Sequence, residues 1–198
     1  MIPQEFYLRP VDEVARALLG CELHRGGVAL RITEVEAYGG PEDSASHGRH
    51  GRTPRNAPMW EEGGRAYLYL CYGVHRMLNV VTGPHGHCGA ILVRACEPLA
   101  GEALILERRG MTRVAPPLLA GPGRIGQALD LDLSFSGHAL FEPGGLELRE
   151  GRPPARMVAS PRVGIDFATP RDRQRRWRFA EAGSPWVSAP RPLVGTRG

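Results

Sequence analysis

Lysine is absent from the sequence: all 25 basic residues of the 198-residue chain are arginine. Enzymes that form an imine with their substrate need an amine, which usually comes from a lysine side chain. Only the N-terminal amine could supply one here, so the sequence excludes a lysine Schiff base. The arginine bias fits the base composition of a genome, and the net charge of +4 agrees with an anionic partner such as nucleic acid.

Cysteine is also scarce. Cys21, Cys71, Cys88 and Cys96 form no Cys-x-x-Cys pair, which argues against a zinc ribbon. The run 85–88 (HGHC) is too closely spaced for a structural metal site, and a hairpin loop is the better interpretation. Scattered cysteines without a disulfide framework fit a reducing compartment.

Long apolar runs are missing as well. No stretch of about 18 apolar residues is present, so we expect no membrane-spanning segment. Residues 1–10 lack the basic-then-apolar pattern of a secretion signal, and we predict a soluble, cytoplasmic protein. The length suits one domain, and 26 glycines and 18 prolines indicate many turns.

Hydrophobic periodicity predicts alternating short helices and strands. A helix is expected over Val11–Leu19, between Pro10 and Gly20, and one or two strands follow in 21–38, interrupted by Gly26 and Gly27. Later elements are predicted as helices at Glu102–Arg109 and Ile125–Leu129, a central strand at Gly89–Glu97, and short strands near Leu146–Arg149, Met157–Ala159 and Val163–Asp166.

The strand before residue 38 carries an unusual acid. Val28, Leu30 and Ile32 alternate on one face, and the same alternation continues through Glu34, Glu36 and Tyr38. A buried carboxylate is costly unless something pairs with it. The loop of residues 39–64 that follows is too long to be an idle connection. A functional acid and a plain edge strand with a solvated loop both explain this pattern.

Three further features suggest a nucleic-acid partner. Residues 67–81 predict a β-hairpin with Tyr72 at its tip, where the ring either folds back or inserts into DNA. Arg94 lies inside a central strand, so it needs an anionic partner, from the strand of Glu34 and Glu36 or from a phosphate. The basic run of residues 171–179 is interleaved with aromatics and is either a solvated face or a DNA contact.

Ordered motifs extend along nearly the whole chain. They are Glu34–Tyr38, Gly40–Asp43 with His47, Thr53–Asn56 with Met59, Tyr67–Gly73, Asn79, Arg94–Pro98, Gly121–Arg124, Gln127–Leu129, Arg162–Ile165 and Gly183–Ser188. Together they resemble the alkyladenine (3-methyladenine, or N-methylpurine) DNA glycosylases. The chain departs from that pattern at Arg124, where many relatives have lysine, and at His75-Arg76. We therefore assign residues 1–190 to a glycosylase domain and 191–198 to a C-terminal tail.

The resemblance implies a fold and an activity. The fold is a mixed α/β (α+β) single domain on a curved, mainly antiparallel β-sheet, with flanking helices and a protruding β-hairpin. The activity is DNA repair by base excision: alkylated or deaminated purines are flipped out of double-stranded DNA, and the N-glycosidic bond is hydrolysed. The resemblance implies no metal and no cofactor, and we expect a monomer. The alternatives are a non-catalytic damaged-DNA-binding module and an RNA-binding or RNA-modifying protein.

The resemblance also assigns roles by position. Glu36 would be the catalytic carboxylate that orients water, and Arg94 would hold the same water or a phosphate. Glu34 would be structural. The remaining candidates are Tyr38, His47 and Tyr69 for gripping the purine, Asn79 for excluding guanine, Tyr72 for filling the gap in the duplex, and Arg52, Arg55 and Arg124 for the DNA backbone. Without lysine, we expect no strand cleavage by an imine route.

Overall fold

One antiparallel sheet organises the computed structural model, which describes residues 1–190. Its eight strands within that range are β1 (Glu22–Arg25), β2 (Val28–Tyr38), β3 (Ala66–Cys71), β4 (His75–Val81), β5 (Ala90–Ala100), β6 (Glu147–Arg149), β7 (Met157–Ser160) and β8 (Arg178–Glu181). The main order is β3-β4-β5-β2-β1-β6, and β8 pairs with both β2 and β7. The predicted fold class is confirmed, while the predicted tail lies outside the described residues.

Short helices cover this sheet. They are α1 (Val11–Leu18), α2 (Glu102–Arg109), α3 (Pro122–Ala128) and α4 (Pro170–Gln174). The predictions for α1 and α2 are confirmed. The third helix begins three residues earlier than predicted, because proline fits the first turn of a helix, where no backbone N–H is needed. No helix between residues 1 and 190 combines the length and apolar character required to cross a bilayer.

The predicted strand at Val163–Asp166 is wrong. This segment is a turn, with Gly164 at φ +74° and the Ala168 N–H bonded to the Ile165 carbonyl at 2.9 Å. A short apolar run cannot by itself distinguish a strand from a buried turn.

Strand β2 changes face part-way along its length. Ile32 lies opposite Cys96, but Glu34 lies opposite Ala95 and Val35 opposite Val93, so the pairing with β5 shifts on both sides of Glu34. Val28, Leu30 and Ile32 pack in the main core, and so do Val35 and Ala37. The prediction that the two glutamates continue the face of the preceding apolar residues is therefore wrong. An irregularity of one residue reverses the alternation, and it points the acids away from that core.

The predicted hairpin is confirmed as β3 and β4. Tyr72 and Gly73 both have positive φ, at +52° and +72°, in the turn between these strands. Tyr72 is 91% exposed, so its ring does not fold back on the hairpin. A bulky residue in the left-handed region is uncommon, and such positions often belong to functional sites.

Candidate active site

A cavity of about 230 Å³, partly open to solvent, lies among the hairpin, strand β5 and the turn after residue 162. Aromatic rings supply much of its wall: Tyr38, His47, Tyr67, Tyr69, Tyr72 and Phe167. Asn79 and Arg94 also line it. Six of the positions singled out in the sequence therefore meet in one place, although they come from four separate stretches of chain.

Glu36 lies directly behind this wall and is completely buried. Its Oε1 accepts a hydrogen bond from the Val163 backbone N–H at 2.7 Å. Its Oε2 accepts from the Tyr38 hydroxyl at 2.8 Å and from Nη1 of Arg94 at 3.1 Å. All three donors belong to residues that line the cavity, so they fix the orientation of the carboxylate against it.

Arg94 joins the two glutamates. Its Nε donates to Glu34 at 3.1 Å, and its guanidinium also contacts the Ser188 hydroxyl. Burial alone would lower the pKa of Arg94, but Glu36 and Glu34 outweigh burial and raise that pKa. The guanidinium therefore stays charged and pairs with the two acids, which are one of the two kinds of anionic partner expected from the sequence.

Glu34 has a second guanidinium partner. Arg178 donates from Nε at 2.5 Å, and the Ser188 backbone N–H donates at 2.6 Å. Two carboxylates and two guanidinium groups thus balance in charge. Arg178 is buried, so the prediction of a solvated or DNA-facing basic run is wrong at this position.

Tyr38 is supported from behind by Arg162, a motif residue to which the sequence analysis gave no role. The Arg162 guanidinium carbon lies 4.8 Å from the centroid of the Tyr38 ring. Arg162 forms a completely buried ion pair with Asp43, at 2.6 Å between Nη1 and Oδ2. Burial, with help from Glu36, raises the pKa of the Tyr38 hydroxyl, which therefore remains a donor to the carboxylate.

His47 contacts two tyrosines of the cavity wall. Its Nδ1 lies 3.0 Å from the Tyr67 hydroxyl, and its ring meets Tyr69 edge to face at 4.6 Å between centroids. Burial lowers the pKa of His47, and the charges of Arg55 and Arg49 lower it further. The imidazole is thus kept neutral near pH 7. Tyr67 was not predicted to be a site residue, although its side chain lies on the same face of β3 as that of Tyr69.

Asn79 is fixed by the backbone. Its side-chain amide donates to the Tyr67 carbonyl at 3.0 Å and to the Met77 carbonyl at 3.3 Å. Both amide hydrogens are therefore used, and Oδ1 is left as the acceptor at the cavity wall.

The comparison with known proteins agrees with this geometry. A family model described as methylpurine-DNA glycosylase matches residues 5–185. The chain belongs to the methylpurine-DNA glycosylase family. It is 56% identical over 188 residues to a Nitrosococcus oceani protein named "Putative 3-methyladenine DNA glycosylase", covering 95% of this chain and 93% of that protein. It is 50% identical over 192 residues to the Arabidopsis thaliana "DNA-3-methyladenine glycosylase", covering 96% of this chain and 75% of that protein.

Family membership makes the chain a DNA repair glycosylase, an enzyme that acts on DNA bases. The roles of its individual residues stay predictions. Of the three arginines predicted for the DNA backbone, Arg52 is exposed and bonds Glu61 at 3.3 Å. Arg55 is exposed, with its guanidinium carbon 6.0 Å from the Tyr69 centroid. Arg124 donates to the Ala120 carbonyl at 2.8 Å. Only Arg55 is therefore tied to the cavity wall by a contact.

Proposed function

We propose that this glycosylase extrudes an alkylated or deaminated purine from double-stranded DNA and hydrolyses its N-glycosidic bond, leaving an abasic site. One observation carries the proposal: the buried Glu36 carboxylate is held by three donors against an aromatic cavity. A protein that only binds DNA has no use for this acid, because a carboxylate repels the phosphates.

Extrusion comes first, because a base inside the duplex cannot be reached by a catalyst. It costs a few kcal/mol of lost stacking and pairing. Tyr72 is almost fully exposed at the end of a hairpin and also borders the cavity. We infer that its ring fills the space which the extruded nucleotide vacates, and that this contact offsets part of the cost.

The extruded purine would then bind between aromatic side chains. Tyr38 and Tyr69 offer flat surfaces, and His47 is held in place by Tyr67. A cationic, N-alkylated purine gains about 0.5–2 kcal/mol from such faces. The neutral state of His47 supports this assignment, since a charged imidazole would repel that base. Asn79, at the cavity wall, would restrict which exocyclic substituents a bound purine can have.

Bond cleavage leaves the sugar with oxocarbenium character. A carboxylate close to that charge stabilises it and accepts a proton from the attacking water. Glu36 is our candidate for both tasks. Arg94 and Tyr38 would act by holding Glu36 in position, and Glu34 would act by holding Arg94.

The enzyme is further proposed to be monofunctional, and to work as a monomer in the cytoplasm. Strand cleavage through an imine needs an amine, and the chain has no lysine. Borohydride treatment during turnover should therefore trap no covalent complex with DNA. A trapped adduct would reject the monofunctional assignment. The four cysteines are free, which supports a reducing compartment.

The decisive test of the main proposal is Glu36→Gln. This change keeps the side-chain shape but removes the charge, so base release should fall at least a hundredfold. Affinity for duplexes that carry a lesion should be retained, as measured by fluorescence anisotropy. Glu13→Gln, at an exposed acid that does not line the cavity, is the matched control. Turnover at the wild-type rate would rule out Glu36 as the catalytic group.

A further inference from the structure

We propose that Phe167 is a second DNA contact, which packs against the nucleotide adjoining the extruded one. The inference rests on the proposed function. It adds a residue to the site that neither the sequence motifs nor the mechanism above includes.

The first observation is the exposure of this ring. Phe167 is 63% exposed and borders the same cavity as Tyr72. An exposed phenylalanine forgoes the free energy of burial, and apolar groups exposed beside a cavity often mark binding surfaces. Phenylalanine has no polar group, so its partner must offer an apolar or aromatic surface.

The second observation is that the turn carrying Phe167 is fixed. The Val163 N–H is bonded to Glu36, and Ile165 and Ala168 are buried against Tyr38 and Ala45. The backbone on both sides of Phe167 is therefore anchored while its ring faces solvent. This places an aromatic ring on an anchored turn, four residues after the backbone N–H that binds Glu36.

The third observation is the charge around the ring. The Arg49 guanidinium carbon lies 5.2 Å from the Phe167 centroid. Helix α4 begins three residues after Phe167 and carries the exposed Arg171 and Arg173. Surfaces that bind single-stranded nucleic acid usually combine aromatic rings, on which bases stack, with positive charges that contact the backbone. A nucleic-acid strand fits this surface better than an apolar peptide does.

The position of the cavity selects the adjoining nucleotide. The extruded base would occupy the space lined by Tyr38, His47 and Tyr69, which leaves Phe167 free at the mouth. Extrusion also removes a stacking partner from the neighbouring nucleotide. Tyr72 and Phe167 come from two separate segments. The DNA strand that carries the extruded nucleotide would therefore contact one ring from each segment.

The test compares Phe167→Ala with Phe167→Tyr and with Leu99→Ala. Leu99 is an exposed apolar residue that does not border the cavity. Phe167→Ala should weaken binding of lesion-bearing duplex about 5- to 150-fold, the range measured when an aromatic under a base is removed. Phe167→Tyr should restore affinity, Leu99→Ala should match the wild type, and the single-turnover rate at saturation should change little.

Fluorescence of 2-aminopurine locates the contact. Placed beside the lesion, the probe should be quenched by the wild type and by Phe167→Tyr, but not by Phe167→Ala. Equal affinities for Phe167→Ala and Leu99→Ala, or equal losses in both Phe167 variants, would overturn the inference. If the wild type itself releases no base, the proposed function fails. If the wild type excises and Phe167→Ala behaves identically, only the present inference fails.

Discussion

Removal of the Arg94 guanidinium tests the charge balance behind the cavity. In Arg94→Met, Glu34 keeps Arg178 and the Ser188 N–H, whereas Glu36 keeps only the Tyr38 hydroxyl and the Val163 N–H. Within residues 1–190, the only guanidinium then left for the two carboxylates is that of Arg178, which contacts Glu34 and not Glu36. Removing one partner of a buried ion pair costs about 3–5 kcal/mol, because the remaining charge is uncompensated.

The magnitude should be measurable by two methods. A loss of about 3–5 kcal/mol lowers the melting temperature of a protein of this size by roughly 6–20 °C. Urea unfolding should show a lower midpoint with an unchanged slope. Arg94→Lys keeps the charge but cannot reach Glu34, Glu36 and Ser188 together, so its loss should be measurable but smaller than that of Arg94→Met.

Arg113→Met serves as the control, because Arg113 is exposed. Surface substitutions of this kind change stability by about 0.5 kcal/mol or less. A loss below about 1 kcal/mol in Arg94→Met would refute the argument that the guanidinium compensates both acids. Base release by the folded Arg94→Lys variant should exceed that of Arg94→Met, since only the lysine can still hold Glu36.

Three further predictions concern the hairpin, a histidine and a helix contact. Tyr72→Ala should weaken binding to lesion DNA far more than binding to undamaged DNA, and equal losses in anisotropy titrations would reject the wedge. Because the folded pKa of His47 is lowered, its contribution to stability is full above the unfolded value near 6.5 and is lost as pH falls below it. We therefore expect the free energy of unfolding of the wild type to fall more steeply than that of His47→Asn as the pH decreases from about 6.5 to 5. Curves of unfolding free energy against pH that run parallel between about pH 5 and 8 would contradict this prediction. Gly126→Ala places a Cβ against the Arg76 carbonyl oxygen, so α3 must move away from β4 and the free energy of unfolding should fall by about 1–3 kcal/mol. An unchanged melting temperature would show that this contact is loose.

The sequence pattern was sufficient to predict the elements that are determined by neighbouring residues. The alternation of β3 and β4, with Gly73 in their turn, identifies the hairpin and places Tyr72 at its tip. The stop at Gly110 ends α2 where the sequence predicts. Each of these features is decided by a few neighbouring residues, so no knowledge of the rest of the chain is needed.

The sequence pattern gave wrong or incomplete predictions where contacts between distant segments determine the structure. The pairing shifts around Glu34 depend on β5, about sixty residues away, and a single strand shows no sign of them. Arg162 and Asp43 are separated by 119 residues, and each resembles an ordinary surface charge until they meet. Arg178 was misjudged for the same reason, because its partner Glu34 lies 144 residues earlier.

The shift in β2 has a consequence for the chemistry. An ionised carboxylate offers about four lone-pair sites. Val163, Tyr38 and Arg94 occupy three of those on Glu36, which leaves about one acceptor site for a further donor. In the proposed mechanism, the attacking water would donate a hydrogen bond to that remaining site. Had β2 kept its alternation, the same glutamate would face the apolar core, where such a water would find neither room nor polar partners.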